Sequence, residues 1–87
     1  MAKNNYRELE EPIREIVCNV NGLETEDVTL ETHFYKDLGI DSIKGVEMAV
    51  ALQEKYDIRI DDAILPKLTN LKLVIEEVDR LLNKKKK

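Results

Sequence analysis

Three observations predict an all-α fold, a small bundle of three main helices and one short helix with a long loop between the first two. Apolar residues recur at three- and four-residue intervals in three separate stretches of the 87 residues. Alternation of the kind a strand needs is confined to "YDIRID", at Tyr56, Ile58 and Ile60, with no second run to pair with it. The balance of 43% hydrophobic to 37% charged residues, with three glycines and two prolines, is that of a helix-rich globular chain rather than a disordered one.

The first helix is expected from about residue 5 to residue 20, because Leu9, Ile13, Ile16, Val17 and Val20 fall on one face and Asn5 and Glu8 stand like a cap and its partner. Pro12 removes a backbone donor inside this stretch, so the helix either bends there or begins near Glu11. From Asn21 to Gly39 the period dissolves, with a single helical turn expected over 25–28. Loops longer than about 12–15 residues are uncommon in small domains and often functional. The second helix is expected from 41 to about 56 and a short helical segment near 61–65. The last helix is expected from 69 to about 83, with Thr69 as its N-cap and Leu71, Val74, Ile75, Val78, Leu81 and Leu82 on its apolar face. Residues 1–83 thus read as one domain and 84–87 as a basic tail. A chain of this size buries only a little more than about 60% of its unfolded surface, which leaves no room for a second core.

The net charge is −4 although four lysines close the chain, so residues 1–83 carry −8. An acidic body repels phosphates, which argues against a nucleic-acid partner and in favour of basic protein surfaces. The lysines themselves read as a solvated end that complements the dipole of the preceding helix. Cys18 is the only cysteine, so no disulfide framework is expected, and no spacing of cysteine and histidine suggests a metal site. No stretch of about 18 apolar residues is present and the first residues lack the apolar core of a signal peptide. The expectation is a cytoplasmic monomer in a reducing compartment, with no stable membrane insertion.

An enzyme would be short of parts. His33 is the only histidine, Ser42 lies outside a G-x-S-x-G context, and Cys18 has no evident base nearby in sequence. The chain is read as non-catalytic. Asp61 and Asp62 lack the ligand spacing of a calcium loop and are expected to start the short helix.

The one serine of the chain stands in "YKDLGIDSIKGVEM", residues 35–48. Asp41 is a strong N-cap residue, worth about 0.5–2 kcal/mol over alanine, which makes Ser42 the first helical residue. There the free N–H groups and the positive end of the helix dipole favour an attached anion, so the position suits a phosphodiester. The helix that follows has two apolar rows, Met48, Ala49, Leu52 and Tyr56 in one and Ile43, Val46 and Val50 in the other, with Glu47 and Glu54 beside the second. Either one row packs inward and the other faces a partner or a pocket rim, or a single wide stripe sits deep in the bundle.

The segment "DLGIDSIKGVEM" resembles the prosthetic-group attachment motif of acyl carrier proteins, D-L-G-x-D-S-L followed closely by V-E-L or V-E-M. The likeness extends to "EDVTLETHFYKDLGIDSI", with Val28 and Phe34 where the family places apolar anchors, and the helix spacing agrees from about Leu9 to Leu82. The resemblance implies that Ser42 carries 4′-phosphopantetheine, that Asp41 caps the helix beside it, and that an acyl group is held as a thioester on the arm. It implies a phosphopantetheinyl transferase and acyl-loading, elongating or transferring enzymes as partners. It further implies that Ile43, Val46, Glu47, Val50 and Glu54 form the docking face, while Met48, Leu52, Val74 and Ile75 line an interior that shelters the acyl chain. Ile43 replaces the usual leucine, and Lys44, Gly45, Gln53, Lys55 and Arg59 interrupt a surface that is more continuously acidic in carriers of fatty-acid synthesis. The expected setting is fatty-acid, polyketide or specialised lipid synthesis, and those departures argue against primary fatty-acid synthesis and favour a specialised carrier serving a particular pathway. A peptidyl or aminoacyl carrier and an unmodified helical interaction module are the alternatives. Gly45 costs about 1 kcal/mol relative to alanine within a helix, so either a looser helix or a close neighbour is expected there.

Overall fold

The computed structural model describes residues 6–85, which form α1 (Tyr6–Asn21), α2 (Ser42–Tyr56) and α3 (Leu71–Lys85). Two single 3-10 turns, Thr25–Asp27 and Leu65–Lys67, punctuate the connections. The only sheet-like pairing among the described residues is an isolated bridge between His33 and Asn70. The all-α expectation holds, because each helix has an apolar stripe that is hidden only when the three pack on one another.

The core is built from those stripes. Leu9, Ile13, Val17 and Cys18 come from α1, Met48, Ala49 and Leu52 from α2, and Leu71, Val74, Ile75 and Val78 from α3. Val28, Phe34, Ile40 and Ile60 reach in from the loops. Val28 and Phe34, expected as loop anchors, are wholly buried, and the Phe34 backbone is pinned on both sides. Its amide donates to the Thr69 carbonyl at 2.8 Å and its carbonyl accepts from the Ile40 amide at 3.0 Å. The long loop is therefore held against α3 by hydrogen bonds as well as by apolar burial, aided by the Lys72 amide donating to the Leu30 carbonyl at 3.0 Å.

Four local expectations need correction or sit elsewhere. The first helix does not begin near Glu11: it already runs at Tyr6 and continues through Pro12. One missing amide at residue 12 is outweighed by the burial of Leu9 and Ile13 on either side of it, which needs the first turns helical. The proposed Asn5 cap lies outside the described residues, as do the last two lysines; Lys84 and Lys85 belong to α3 rather than to a separate tail. The cap of α3 is Asn70 and not Thr69, since Asn70 Oδ1 accepts from the Leu73 amide at 2.9 Å. Thr69 instead spends its carbonyl on Phe34. The short helical turn falls at 65–67, not 61–65, because Asp61 Oδ1 closes a turn onto the Ala63 amide at 2.9 Å and Pro66, with no amide to donate, suits the first positions of the turn that follows.

Candidate functional site

The site begins with a turn that only glycine adopts comfortably. Gly39 has φ +68°, in the left-handed region, which brings the chain round so that Asp41 enters extended and α2 starts at Ser42. Asp41 then caps the helix as its residue type predicts. One carboxylate oxygen accepts from the Lys44 amide at 2.9 Å, and its carbonyl accepts from the Gly45 amide at 3.0 Å. Ser42 is left exposed at the first helical position, beside amides that have no partner within the helix. That environment accepts an anion attached through the serine oxygen, so the residues present fit a phosphodiester.

Ser42 also opens onto a cleft of about 520 Å³ that runs along α2 from Ser42 to Leu52. On the α2 side Gly45, Val46, Met48 and Ala49 follow Ser42; Phe34 and Tyr35 form a second wall; Ile60, Leu65, Pro66 and Leu68 form a third; and Val74 stands at its α3 side. Ser42 and Asp62, with the Tyr35 hydroxyl, are its polar groups. The volume is within the range of about 300–1,000 Å³ that suits a small ligand, and the walls suit an apolar one. The third wall is held by Gln53, whose side-chain oxygen accepts from the Ile60 amide at 2.7 Å, and by Asp57, a left-handed C-cap tied to Lys85 at 3.0 Å.

Of the two arrangements that periodicity left open for α2, the rows adopt the one in which they separate. Met48, Ala49 and Leu52 are buried, whereas Ile43, Val46 and Val50 are 68%, 52% and 45% exposed. Val46 does double duty, since it also lines the cleft. Glu47 is exposed and lies 3.5 Å from Lys44 on the next turn, so part of its charge is answered within the helix; Glu54 is exposed as well. Of the four residues expected to line an acyl pocket, Met48, Leu52 and Val74 line this cleft. Ile75 does not: it is completely buried among the helices, because one residue along α3 from Val74 turns the side chain by about 100°.

Sequence reasoning missed the wall contributed by Ile60, Leu65 and Pro66 and the position of Tyr35. The only signal for the first was the short apolar run at 63–66, which carries no helical period. Tyr35 had none beyond its place beside the anchor Phe34. Cys18 is buried, and burial pushes its thiol above the ordinary range. His33 is a loop residue that orders its own turn: its Nδ1 accepts from the Lys36 amide at 3.1 Å, and its amide donates to the Asp37 carboxylate at 2.8 Å. Among the described residues no helix is long and apolar enough to cross a membrane, and no group of three or more His, Cys, Asp or Glu side chains is placed to hold a metal ion.

Comparison with known proteins agrees with this geometry. The family described as "Phosphopantetheine attachment site" matches residues 11–78, from the second turn of α1 to the middle of α3. Among solved structures, an apo doublet acyl carrier protein from prodigiosin biosynthesis superposes with a TM-score of 0.73 at 22% identity. The match covers 85% of this chain but only 36% of that one, so the likeness is one of fold over about a third of the larger protein. The chain belongs to the phosphopantetheine attachment-site family, is a carrier protein with the acyl carrier fold, and has 4′-phosphopantetheine as its prosthetic group.

Proposed function

We propose that the chain is an acyl carrier protein that bears its prosthetic group on Ser42 and delivers acyl groups to separate enzymes. The observation that carries this reading is the position of the chain's one serine, exposed at the first residue of α2 and at the mouth of an apolar cleft. When bound, 4′-phosphopantetheine supplies a terminal thiol on a flexible arm, on which an acyl group is held as a thioester. The chain's own residues do the rest. Asp41 fixes the helix start, Ser42 provides the oxygen, and Met48, Leu52 and Val74 offer an apolar lining in which an acyl chain is sheltered from water. Each methylene buried there is favoured by about 0.8 kcal/mol. A peptidyl or aminoacyl cargo, being polar, gains less from such walls.

The exposed row of Ile43, Val46 and Val50 is the contact offered to a phosphopantetheinyl transferase and to acyl-loading, elongating or transferring enzymes, with Glu47 and Glu54 at its border. Helix α2 as a whole carries two lysines and two glutamates. Its neutrality supports a specialised pathway, lipid or polyketide, over one whose enzymes read a uniformly acidic helix. The carrier itself makes and breaks no bond. Tethering keeps its cargo at high effective concentration at whichever enzyme has docked. Incubation with coenzyme A and a broad-specificity phosphopantetheinyl transferase should add one phosphopantetheinyl mass, mapped to Ser42 and abolished by Ser42→Ala. An unchanged mass for the folded protein would reduce the chain to an unmodified helical interaction module.

A further inference from the structure

We propose that the Tyr35 hydroxyl donates a hydrogen bond to the prosthetic arm where it leaves Ser42, and that this bond favours the arm lying in the cleft over the arm extended into solvent. The inference rests on reading Ser42 as the attachment point and the cleft as the shelter of the acyl group. What carries it is a scarcity of donors. Among the residues lining the cleft, only Tyr35 and Ser42 have a side chain that donates, and the carboxylate of Asp62 accepts alone. Attachment consumes the Ser42 hydroxyl, because its oxygen becomes an ester oxygen of the phosphodiester. Tyr35 is then the one side-chain donor in the lining of an otherwise apolar cleft.

The hydroxyl is both uncommitted and well placed. It makes no hydrogen bond to any described residue, whereas polar side chains near it in sequence are engaged: His33 accepts from the Lys36 amide, Asp37 from the His33 amide and Asp41 from the Lys44 amide. It lies 3.7 Å from where a Cβ at Gly45 would stand, and Cβ positions three apart on a helix are about 5–6 Å from one another, so it is within about 9 Å of the Ser42 Cβ. The turn that carries it is closed by the Asp37 and Leu38 amides, which donate to the His33 carbonyl at 2.9 and 3.3 Å, and the ring is steadied edge-on by that of His33, 5.9 Å between centroids. 4′-Phosphopantetheine bears a hydroxyl and an amide carbonyl only a few bonds beyond its phosphate, so acceptors fall within this reach. Drawn into the cleft, those oxygens give up water, and an acceptor left unpaired there is costly. Tyr35 removes that cost for the sheltered arm alone, since an extended arm has water.

The test reads the arm itself by NMR. The full chain is loaded on Ser42 from octanoyl-coenzyme A isotope-labelled in its pantothenate portion, loading being confirmed by mass. In the wild type the arm signals should be displaced from those of free octanoyl-coenzyme A, with nuclear Overhauser contacts from the arm's paired methyl groups to the Tyr35 ring. Tyr35→Phe keeps the ring and removes only the hydroxyl. It should lower the ratio of sheltered to extended arm by about two- to tenfold, seen as movement of the arm signals back toward their free positions. The urea midpoint of Tyr35→Phe should equal that of the wild type, because the hydroxyl holds nothing in the fold. The proposal is overturned if the wild-type arm signals match those of the free compound, if Tyr35→Phe leaves them where they are, or if they move only together with a fall in the midpoint. A chain that takes up no mass refutes the carrier reading and this inference together. One that takes up the mass and shows no contact with the ring refutes this inference alone.

Discussion

Two glycine-to-alanine substitutions six residues apart should have opposite effects on stability, and the structure sets both signs. Gly45 lies within α2 at ordinary helical dihedrals, and a methyl group there would meet the Tyr35 hydroxyl at 3.7 Å, an ordinary van der Waals contact. Alanine should therefore recover helix propensity at little steric cost, stabilising the fold by about 0.4–1 kcal/mol, mostly by restricting the unfolded chain. For a domain of this size each kcal/mol moves the midpoint by about 4–8 °C, so the expected rise is roughly 2–8 °C. Gly39 meets nothing within 4 Å of an added Cβ, yet its φ of +68° is one that L-residues adopt at a cost of about 1–2 kcal/mol. Gly39→Ala should lower the midpoint by roughly 4–16 °C despite the open space around it. Thermal unfolding followed at 222 nm, with urea titrations to check that the m-value is unchanged, measures both. A Gly45→Ala midpoint below wild type would show that the space between Gly45 and the Tyr35 hydroxyl does not admit a methyl group. A neutral Gly39→Ala would mean that the turn into Asp41 relaxes to another conformation.

Asp41→Ala should cost about 1 kcal/mol through loss of the bond from the Lys44 amide, while Asp41→Asn, which keeps an accepting oxygen, should retain most of it; equal urea midpoints for the two would refute the cap. Phe34→Ala should destabilise by about 3–5 kcal/mol, since the ring is 1% exposed, and a loss below about 1.5 kcal/mol would show that the long loop is not anchored there. The Cys18 thiol should react with a disulfide reagent only through global opening, at a rate that rises with urea as unfolding does; fast reaction in native buffer would contradict its burial. Because burial raises its pKa above the ordinary 9.0, folding favours the protonated thiol. The stability this contributes is complete below that value and is lost as pH rises through the folded pKa, so Cys18→Ala should flatten the alkaline limb of the stability profile.

Much of the site was legible because it depends on short-range rules. An aspartate before a helical period is a cap wherever it occurs, and the cap places Ser42 at the helix tip without help from the rest of the fold. The two apolar rows of α2 are legible from 3.6-residue periodicity, but whether both are buried was not, and the exposures of Ile43, Val46 and Val50 decide it. Pro12 and Thr69 misled for a common reason. Each was judged by its local preference, and each was overruled by tertiary demands: the burial of Leu9 and Ile13 keeps the turn before Pro12 helical, and Phe34 takes the Thr69 carbonyl, leaving the cap to Asn70. Ile75 was grouped with Val74 by the family resemblance alone, and a resemblance does not say which of two neighbouring residues on α3 lines the cleft.

By itself the sequence determined the helices, the cap and the position of the one serine, since these rest on periodicity and on hydrogen bonds spanning three or four residues. Only the tertiary structure decided what Ser42 opens onto. The cleft is made where separate segments converge: the turn bearing Phe34 and Tyr35, α2, the connection bearing Ile60, Leu65 and Pro66, and Val74 of α3. No periodicity encodes that convergence, because it arises from the mutual burial of the three helical stripes and from a few long-range bonds such as those of Phe34 to Thr69 and Ile60 to Gln53. The same convergence brings the Tyr35 hydroxyl to 3.7 Å from where a Cβ at Gly45, ten residues away, would stand.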